Sequence, residues 1–213
     1  MSFQYIAIEG PIAVGKTALA ERLSSRLDAS TVLQDTDNPF LAEFYAGRPG
    51  AAFQTQLFYL LNRHRQQLAL RQADLFAQAT VCDYLFDRDK IFAYLNLDDN
   101  ELFIYQRLYD LLAKDAPTPD LVIYLQAPTD ILLRRVKERA AQPEADLPEP
   151  DANYLRELNE AYQHYFFHYT ATPLLVVETS HFEPNHPGAI DDLIRQIREL
   201  RRGTQFYVPR TTE

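Results

Sequence analysis

The segment from Gly10 to Thr17, which reads GPIAVGKT, constrains the fold of this chain more than any other part of the sequence. It fits the pattern G-x-x-x-x-G-K-[ST], directly after an apolar run of strand length at 5–8 and directly before a helical run at 18–27. Glycine lets the backbone wrap closely around phosphate oxygens, and successive N–H groups at a helix start supply positive potential. The spacing therefore predicts a phosphate-binding loop (P-loop) between a first strand and a first helix.

Each residue type in this loop suits one task in binding ATP with magnesium. We expect Lys16 to place its charge on the β- and γ-phosphates, and the hydroxyl of Thr17 to coordinate Mg²⁺. The residues expected to hold the phosphates are Gly10, Ala13, Val14, Gly15, Lys16 and Thr17. ATP and Mg²⁺ are thus the expected cofactors.

Apolar runs of strand length recur along the chain, and longer amphipathic segments separate them. The runs lie at 5–8, 31–33, 80–82, 121–125 and 174–177. The predicted helices lie at 17–27, 54–70, 101–112, 129–139, 154–169 and 189–202. Strands that are continuously apolar are covered on both faces, which is typical of parallel sheets. We predict an α/β chain with one domain over 1–213: a three-layer P-loop kinase fold with a mostly parallel five-stranded sheet between helices and an arginine-bearing lid.

Composition excludes several other functions. The chain of 213 residues has a formal net charge of −9 and one cysteine, Cys82, which cannot form an internal disulfide. An acidic chain is a poor match for nucleic acid or an anionic membrane, since both reward clustered Lys and Arg. The N-terminus runs into the first strand without a signal-peptide pattern, and no apolar run approaches the roughly 20 residues of a membrane span. We expect a cytoplasmic protein that holds any polyanion locally.

An acidic residue follows each of the next two predicted strands. Asp35 comes after the run at 31–33 and Asp83 after the run at 80–82. The carboxyl ends of parallel strands meet at one edge of the sheet, so both acids can approach the phosphates. A hydroxyl acceptor must lose its proton as the new bond forms, which a nearby carboxylate assists. Asp35 fits that role, and Asp83 is the alternative base.

A lid is predicted after the fourth strand. Arg135 and Arg139 lie four residues apart on one predicted helix and therefore share a face. The helix leads into 140–153, a loop with three prolines and four acids. Phosphoryl transfer needs cations opposite the P-loop, and a lid supplies them while it excludes water. We expect a lid at about 139–153 that brings both arginines onto the phosphates of ATP.

The acceptor is predicted to be neutral. Between residues 34 and 62 the only arginine is Arg48, whereas an acceptor phosphate would call for several. Two alternatives stay open at this point. One is a nucleoside monophosphate or thymidylate-type kinase, and the other is a catalytically silent nucleotide-binding regulator.

Three segments together resemble the bacterial deoxynucleoside kinases, in particular the deoxyadenosine/deoxyguanosine kinases. They read DNPFLAEFY at 37–45, AFQTQLFYLLNRHRQQ at 52–67 and DYLFDRDKIFA at 83–93. The resemblance implies ATP-dependent phosphorylation of the 5′-hydroxyl of a deoxynucleoside in nucleotide salvage, with purines favoured, and it implies a homodimer. It also implies that Asp83 serves the 5′-hydroxyl and magnesium. The other substrate-binding residues implied are Tyr45 for the sugar, Gln54 for the base edge, and Asp87 or Arg88 for the base. In the predicted lid, Glu144 is a further candidate for substrate binding.

The chain departs from this family pattern at two positions. Relatives usually have Glu at the end of the second strand, where this chain has Gln34 followed by Asp35. The family lid often reads R-G-R, where this chain has Arg139 followed by two alanines. At the first position, the side chain of Asp35 is one methylene shorter than that of Glu. At the second, the missing arginine leaves Glu144 or Asp146 to organise the lid.

Overall fold

A parallel sheet organises the chain in the computed structural model, which describes residues 3–73, 79–142, 150–182, 184 and 188–209. Within these ranges six strands form one sheet in the order β2-β3-β1-β4-β5-β6, and every neighbouring pair is parallel. The strands are β1 (Tyr5–Glu9), β2 (Ser30–Val32), β3 (Thr80–Cys82), β4 (Leu121–Gln126), β5 (Leu174–Glu178) and β6 (Thr204–Tyr207). The predicted α/β fold with a parallel sheet between helices is confirmed.

The sheet has one strand more than the five predicted. β6 extends the sheet beside β5, with Leu174 opposite Thr204 and Val177 opposite Tyr207. Its sequence, TQFY, is short and half polar, so the apolar pattern does not identify it as a strand. The side chain of Tyr207 packs against the core, which anchors this end of the described chain.

Helices connect the strands and cover the sheet. They are α1 (Lys16–Leu27), α2 (Leu41–Tyr45), α3 (Ala51–Ala73), α4 (Arg88–Asn96), α5 (Asp99–Leu112), α6 (Thr129–Ala140), α7 (Ala152–Phe167) and α8 (Ala189–Glu199). Six of these were predicted, while α2 is too short for helical periodicity to reveal and α4 begins with three charged residues. No helix in the described ranges combines the length and the apolar character that crossing a membrane requires.

Two hydrophobic layers enclose the sheet. One layer contains side chains of α1, α6 and α8, and the opposite layer contains side chains of α4 and α7. A third cluster joins α3, α4 and α5 beyond the second layer. Because β1 lies between β3 and β4, the loop that follows β1 is at the middle of the sheet's carboxyl edge. In parallel α/β folds, this edge is where ligands bind.

Candidate functional site

The loop after β1 has the backbone that a phosphate-binding loop requires. A Cβ atom on Gly10 would lie 2.4 Å from the carbonyl oxygen of Leu125 in β4, so no other residue fits there. Ala13 and Gly15 have φ angles of 63° and 104°, and Gly15 directly precedes α1. These left-handed residues turn the chain sharply, which aims successive N–H groups and the start of α1 at one point.

Lys16 folds back across this loop. Its Nζ atom donates hydrogen bonds to the carbonyl oxygens of Gly10 at 2.7 Å and Pro11 at 2.9 Å. The residue as a whole is half-buried, but these contacts hold its ammonium group inside the loop. Burial, with a smaller contribution from the positive charge of Arg88, lowers the pKa of Lys16 to about 7. An anion brought into the loop would favour the charged form and raise that pKa.

Thr17 and Asp83 meet at the carboxyl edge of the sheet, where Asp83 was expected to approach the P-loop. The Thr17 hydroxyl donates to Asp83 Oδ2 at 2.7 Å, and the backbone N–H of Gln34 donates to Asp83 Oδ1 at 2.6 Å. The buried Asp83 carboxylate therefore links the start of α1 to the segment after β2.

The donor set at this point fits a magnesium ion. Thr17 offers a hydroxyl oxygen and Asp83 a carboxylate oxygen, and oxygen is what Mg²⁺ prefers. No group of three or more Asp, Glu, His or Cys residues able to hold a metal occurs in the described parts of the chain. A protein that provides few ligands leaves the others to phosphate and water, which is usual for Mg²⁺.

A cleft of about 570 Å³ opens over the P-loop and has a charge opposite to that of the whole chain. Among the described residues, five basic side chains line it: Lys16, Arg63, Arg88, Arg135 and Arg139. Two acids line it, Asp83 and Asp89. A chain with a net charge of −9 thus concentrates positive charge where an anion would bind.

Both predicted lid arginines reach this cleft. Arg135 Nη1 donates to the carbonyl oxygen of Val14 at 3.4 Å, and the guanidinium also donates to the backbone and side chain of Thr179, just after β5. Arg139 lies one turn further along α6 and is exposed. The helix therefore presents two guanidinium groups to the P-loop side of the cleft.

Three residues predicted for the site lie elsewhere. Asp35 is exposed and does not line the cleft, and its Oδ1 accepts a hydrogen bond from the backbone N–H of Asp37 at 3.0 Å. Gln54 is exposed on the first turn of α3. Asp87 accepts from Tyr109 and lies 3.3 Å from Lys90 Nζ, so it faces α5 instead of the cleft.

Two other predicted substrate residues do line the cleft. Tyr45, at the end of α2, is partly buried, and this burial raises its pKa to about 12. Arg88 is buried, donates to the side-chain oxygen of Gln34 and lies over the ring of Phe92 at 4.8 Å. The predicted lid residue Glu144 lies outside the described residues, as do its neighbours at 143–149.

The structure adds three polar residues that the sequence interpretation missed. Gln56 on α3, Arg63 on α3 and Asp89 on α4 are all buried and all line the cleft. Arg63 and Asp89 form an ion pair. Beyond this ion pair, the Asp89 carboxylate has no hydrogen-bond partner among the described residues. Buried polar groups of this kind are costly unless a ligand or a neighbour satisfies them.

A smaller pocket of about 300 Å³ adjoins the P-loop. It shares Arg135 with the cleft, and its other walls are apolar or backbone. The apolar side chains come from Val14, Leu125, Phe182 and Pro184. Such a pocket suits a flat ring system held close to the phosphate loop.

Comparisons with known proteins agree on one family. The model of the family described as "Deoxynucleoside kinase" matches residues 6–201. The chain is 34% identical over 163 residues to the deoxyguanosine kinase of Bacillus subtilis, covering 75% of this chain and 76% of that protein. It is 31% identical over 204 residues to the deoxyadenosine kinase of Dictyostelium discoideum, covering 93% and 80%.

Solved structures show the same fold. The deoxyadenosine kinase from M. mycoides with bound dATP superposes with a TM-score of 0.75 at 23% identity, covering 92% of this chain and 99% of that one. The same enzyme with the products dCMP and dCDP gives a TM-score of 0.75 at 22% identity, covering 92% and 100%. The family match spans the P-loop, the cleft residues and α6, and so the chain belongs to the deoxynucleoside kinase family.

Proposed function

We propose that this deoxynucleoside kinase transfers the γ-phosphoryl group of ATP to the 5′-hydroxyl of a purine deoxynucleoside, as a step of nucleotide salvage. The observation that carries the proposal is the composition of the cleft. One cavity joins the P-loop and Asp83 to a buried polar set, Gln56, Arg63 and Asp89. A kinase needs a phosphate site and an acceptor site within one water-excluding space, and this cleft supplies both.

Asp83 is the residue best placed to take the acceptor proton. Of the two acids that line the cleft in the described chain, Asp83 contacts the P-loop threonine and Asp89 is paired with Arg63. Each Asp83 oxygen accepts one hydrogen bond and keeps a further lone pair for the acceptor hydroxyl. We therefore assign the base role to Asp83 instead of Asp35.

Gln56, Arg63 and Asp89 are proposed to read the base, in place of Gln54 and Asp87. The Gln56 amide can donate and accept at once, which suits the paired N–H and ring nitrogen of adenine. Guanidinium donors suit the acceptors N7 and O6 of guanine, and a carboxylate suits ring N–H groups. The set can therefore serve either purine, in line with the names of the two relatives above 30% identity.

Gln56 and Gln54 form a matched pair for testing this assignment. Gln56→Ala should lower kcat/KM for the preferred purine deoxynucleoside by about 10- to 100-fold, because polar groups of the nucleobase would lose a buried hydrogen-bond partner. Gln54→Ala, at an exposed position on the same helix, should stay within about twofold of wild type. Steady-state kinetics with each deoxynucleoside measures both. The opposite ranking of the two variants would return Gln54 to the base site.

ATP is proposed as the donor, with its triphosphate on the P-loop and its adenine in the smaller pocket beside it. Arg135 lies between the two pockets and contacts the P-loop carbonyl of Val14, so it can contact the phosphates of ATP when they bind. Lys16 would exchange its two backbone carbonyl partners for phosphate oxygens. Arg139 would add a second lid cation at the transferred group.

The pKa of Lys16 predicts how ATP binding depends on pH. It is about 7 in the free protein and higher in the complex, so binding takes up a proton once the pH exceeds 7. Affinity should therefore be greatest below pH 7 and fall about tenfold from pH 7.5 to 8.5. Isothermal titration of ATP across this range measures the slope. Lys16→Arg, which stays charged, should bind with little pH dependence, and an equal slope in that variant would rule out Lys16 as its source.

Magnesium is proposed to bind at Thr17 and Asp83, whose oxygens already lie 2.7 Å apart. When bound, the ion would neutralise charge on the phosphates during transfer. The protein's own part is to hold the two oxygens at the carboxyl edge of the sheet. The Gln34 backbone N–H, which donates to Asp83, keeps that carboxylate oriented.

A homodimer stays a prediction that the surface supports. Large apolar side chains on three adjacent helices are exposed: Leu61 on α3, Tyr94 on α4, and Phe103, Ile104 and Leu111 on α5. An apolar face of this kind usually marks an interface. We propose a second copy of the chain as its partner, which sedimentation velocity tests.

The cytoplasmic location and the lid at about 139–153 also stay predictions.

The experiment for the proposed function identifies the bond that forms. Incubation with ATP, magnesium and deoxyadenosine or deoxyguanosine, followed by phosphorus NMR, should show a 5′-monophosphate and an equal amount of ADP. Phosphate on the 3′-hydroxyl, or ADP released without a phosphorylated nucleoside, would contradict the proposal.

A further inference from the structure

Glu9, the last residue of β1, is a fully buried carboxylate that the cleft chemistry leaves unexplained. Its exposed fraction is 0%, and it does not line the cleft, so it does not touch the substrates. Burying a charge in the central strand of a sheet is unfavourable unless hydrogen bonds and opposite charges compensate it. The contacts of Glu9 therefore indicate the role of its carboxylate.

Three donors converge on this carboxylate, one from the neighbouring residue, one from the segment after β3 and one from α7. Oε1 accepts from the backbone N–H of Gly10 at 2.8 Å and from the hydroxyl of Tyr162 on α7 at 3.0 Å. Oε2 accepts from the backbone N–H of Leu85 at 2.8 Å. The guanidinium of Arg88 adds an opposite charge, with its Nε atom 3.9 Å from Oε1. One side chain thus joins the first residue of the P-loop to the segment after β3.

The segment after β3 carries the acceptor-side machinery. Leu85 is two residues after Asp83 and three residues before Arg88. The N–H of Arg88 donates to the Leu85 carbonyl at 3.0 Å, which closes a turn between them. Because Glu9 holds the Leu85 N–H, it also holds the position of this turn relative to Gly10. The distance between the proposed base, Asp83, and the P-loop therefore depends on Glu9.

We propose that Glu9 is a positioning residue, whose two carboxylate oxygens hold the P-loop and the Asp83–Arg88 turn in register for phosphoryl transfer. The inference rests on the proposed function, because it assigns Glu9 to the alignment of donor and acceptor. It requires a carboxylate of this length. Glutamine has a single acceptor oxygen and would turn an N–H₂ group towards one of the donors. Aspartate keeps the charge but is one methylene too short to reach both Gly10 and Leu85.

Two substitutions and one control test this role through kcat and KM. Glu9→Gln should lower kcat by about 100-fold, the effect expected of a misplacement near 1 Å, with both KM values within about threefold of wild type. Glu9→Asp should lose kcat to a similar extent, because alignment depends on reach as well as charge. Tyr162→Phe, which removes one donor and leaves the bridge from Gly10 to Leu85 intact, should keep kcat within about threefold. Circular dichroism and the melting temperature establish the folded fraction by which each rate is corrected.

Each outcome decides a separate point. Wild-type kcat in folded Glu9→Gln overturns the inference and leaves the proposed function standing. Recovery of wild-type kcat by Glu9→Asp shows a charge effect on Arg88 alone and also overturns it. If Glu9→Gln does not fold, Glu9→Asp decides by itself. A wild-type chain that phosphorylates no deoxynucleoside removes the proposed function and this inference with it.

Discussion

Asp83→Asn should lower kcat for deoxynucleoside phosphorylation by about a thousandfold, a loss typical of removing a general base. The asparagine could not take up the acceptor proton. Its amide N–H₂ group would also face the Thr17 hydroxyl or the Gln34 N–H, both of which are donors towards Asp83. Rapid-quench or coupled assays at saturating ATP and nucleoside measure the change.

Asp35→Asn provides the matched control for this substitution. It changes a carboxylate that follows the neighbouring strand, β2, at an exposed position where Asp35 accepts a hydrogen bond from the nearby Asp37 N–H. We expect kcat within about twofold of wild type, as for most surface substitutions. A large loss in Asp35→Asn together with an active Asp83→Asn would assign the base role to Asp35 after all.

Asp89→Ala should destabilise the protein by about 3–5 kcal/mol, the range for breaking a buried ion pair by removing one partner. Arg63 and Asp89 have side chains that are 4% and 0% exposed, so the remaining guanidinium would be buried without its ion-pair partner. Stacking of Arg63 over Tyr59, at 4.9 Å, holds the group in place and hinders its escape to water. Urea unfolding followed by circular dichroism measures the loss.

A double variant distinguishes the contribution of the ion pair to stability from the proposed role of the two residues in recognising the base. Arg63→Met with Asp89→Leu removes both charges and should recover most of the free energy of unfolding, since apolar pairs often replace buried ion pairs without loss. Its kcat/KM for purine deoxynucleosides should stay low, because the polar partners of the base are gone. A destabilisation below about 1 kcal/mol in Asp89→Ala would show that the pair is not what stabilises this part of the core.

The sequence was sufficient wherever chemistry restricts the backbone. Gly10 has no alternative beside the Leu125 carbonyl, so the spacing of the P-loop could be recognised from residue types alone. The position of Asp83 beside the P-loop, where it contacts Thr17, is in line with a general property of parallel sheets, whose strand ends meet at one edge. Arg135 and Arg139 followed from helical spacing in the same way.

The sequence was insufficient wherever the rotation of a helix or loop decides which polar residue faces inwards. Gln54 and Gln56 lie on opposite sides of α3, a helix with apolar residues all around, so periodicity cannot distinguish them. Asp87 and Asp89 flank the start of α4, which was not predicted, and Asp89 is identified by its contact with Arg63 on α3 and by its place in the cleft. These choices depend on tertiary packing.

Asp35 and Glu9 illustrate the same limit for single acids. Asp35 follows β2 closely enough to reach the sheet edge, but a local turn to Asp37 directs it to solvent. Glu9 looks like a polar strand end in the sequence, and only the convergence of donors from Leu85 and Tyr162 shows that it is a buried link.

One cleft is proposed to hold both ATP and a deoxynucleoside. Turnover of ATP with the four deoxynucleosides, the four ribonucleosides and the matching monophosphates as separate acceptors tests this arrangement. We expect ADP release with deoxyadenosine or deoxyguanosine, and little with their monophosphates, because the base role proposed for Asp83 requires a hydroxyl acceptor. Turnover of monophosphates alone, or ATP binding without turnover of any acceptor, would rule out a deoxynucleoside site in this cleft.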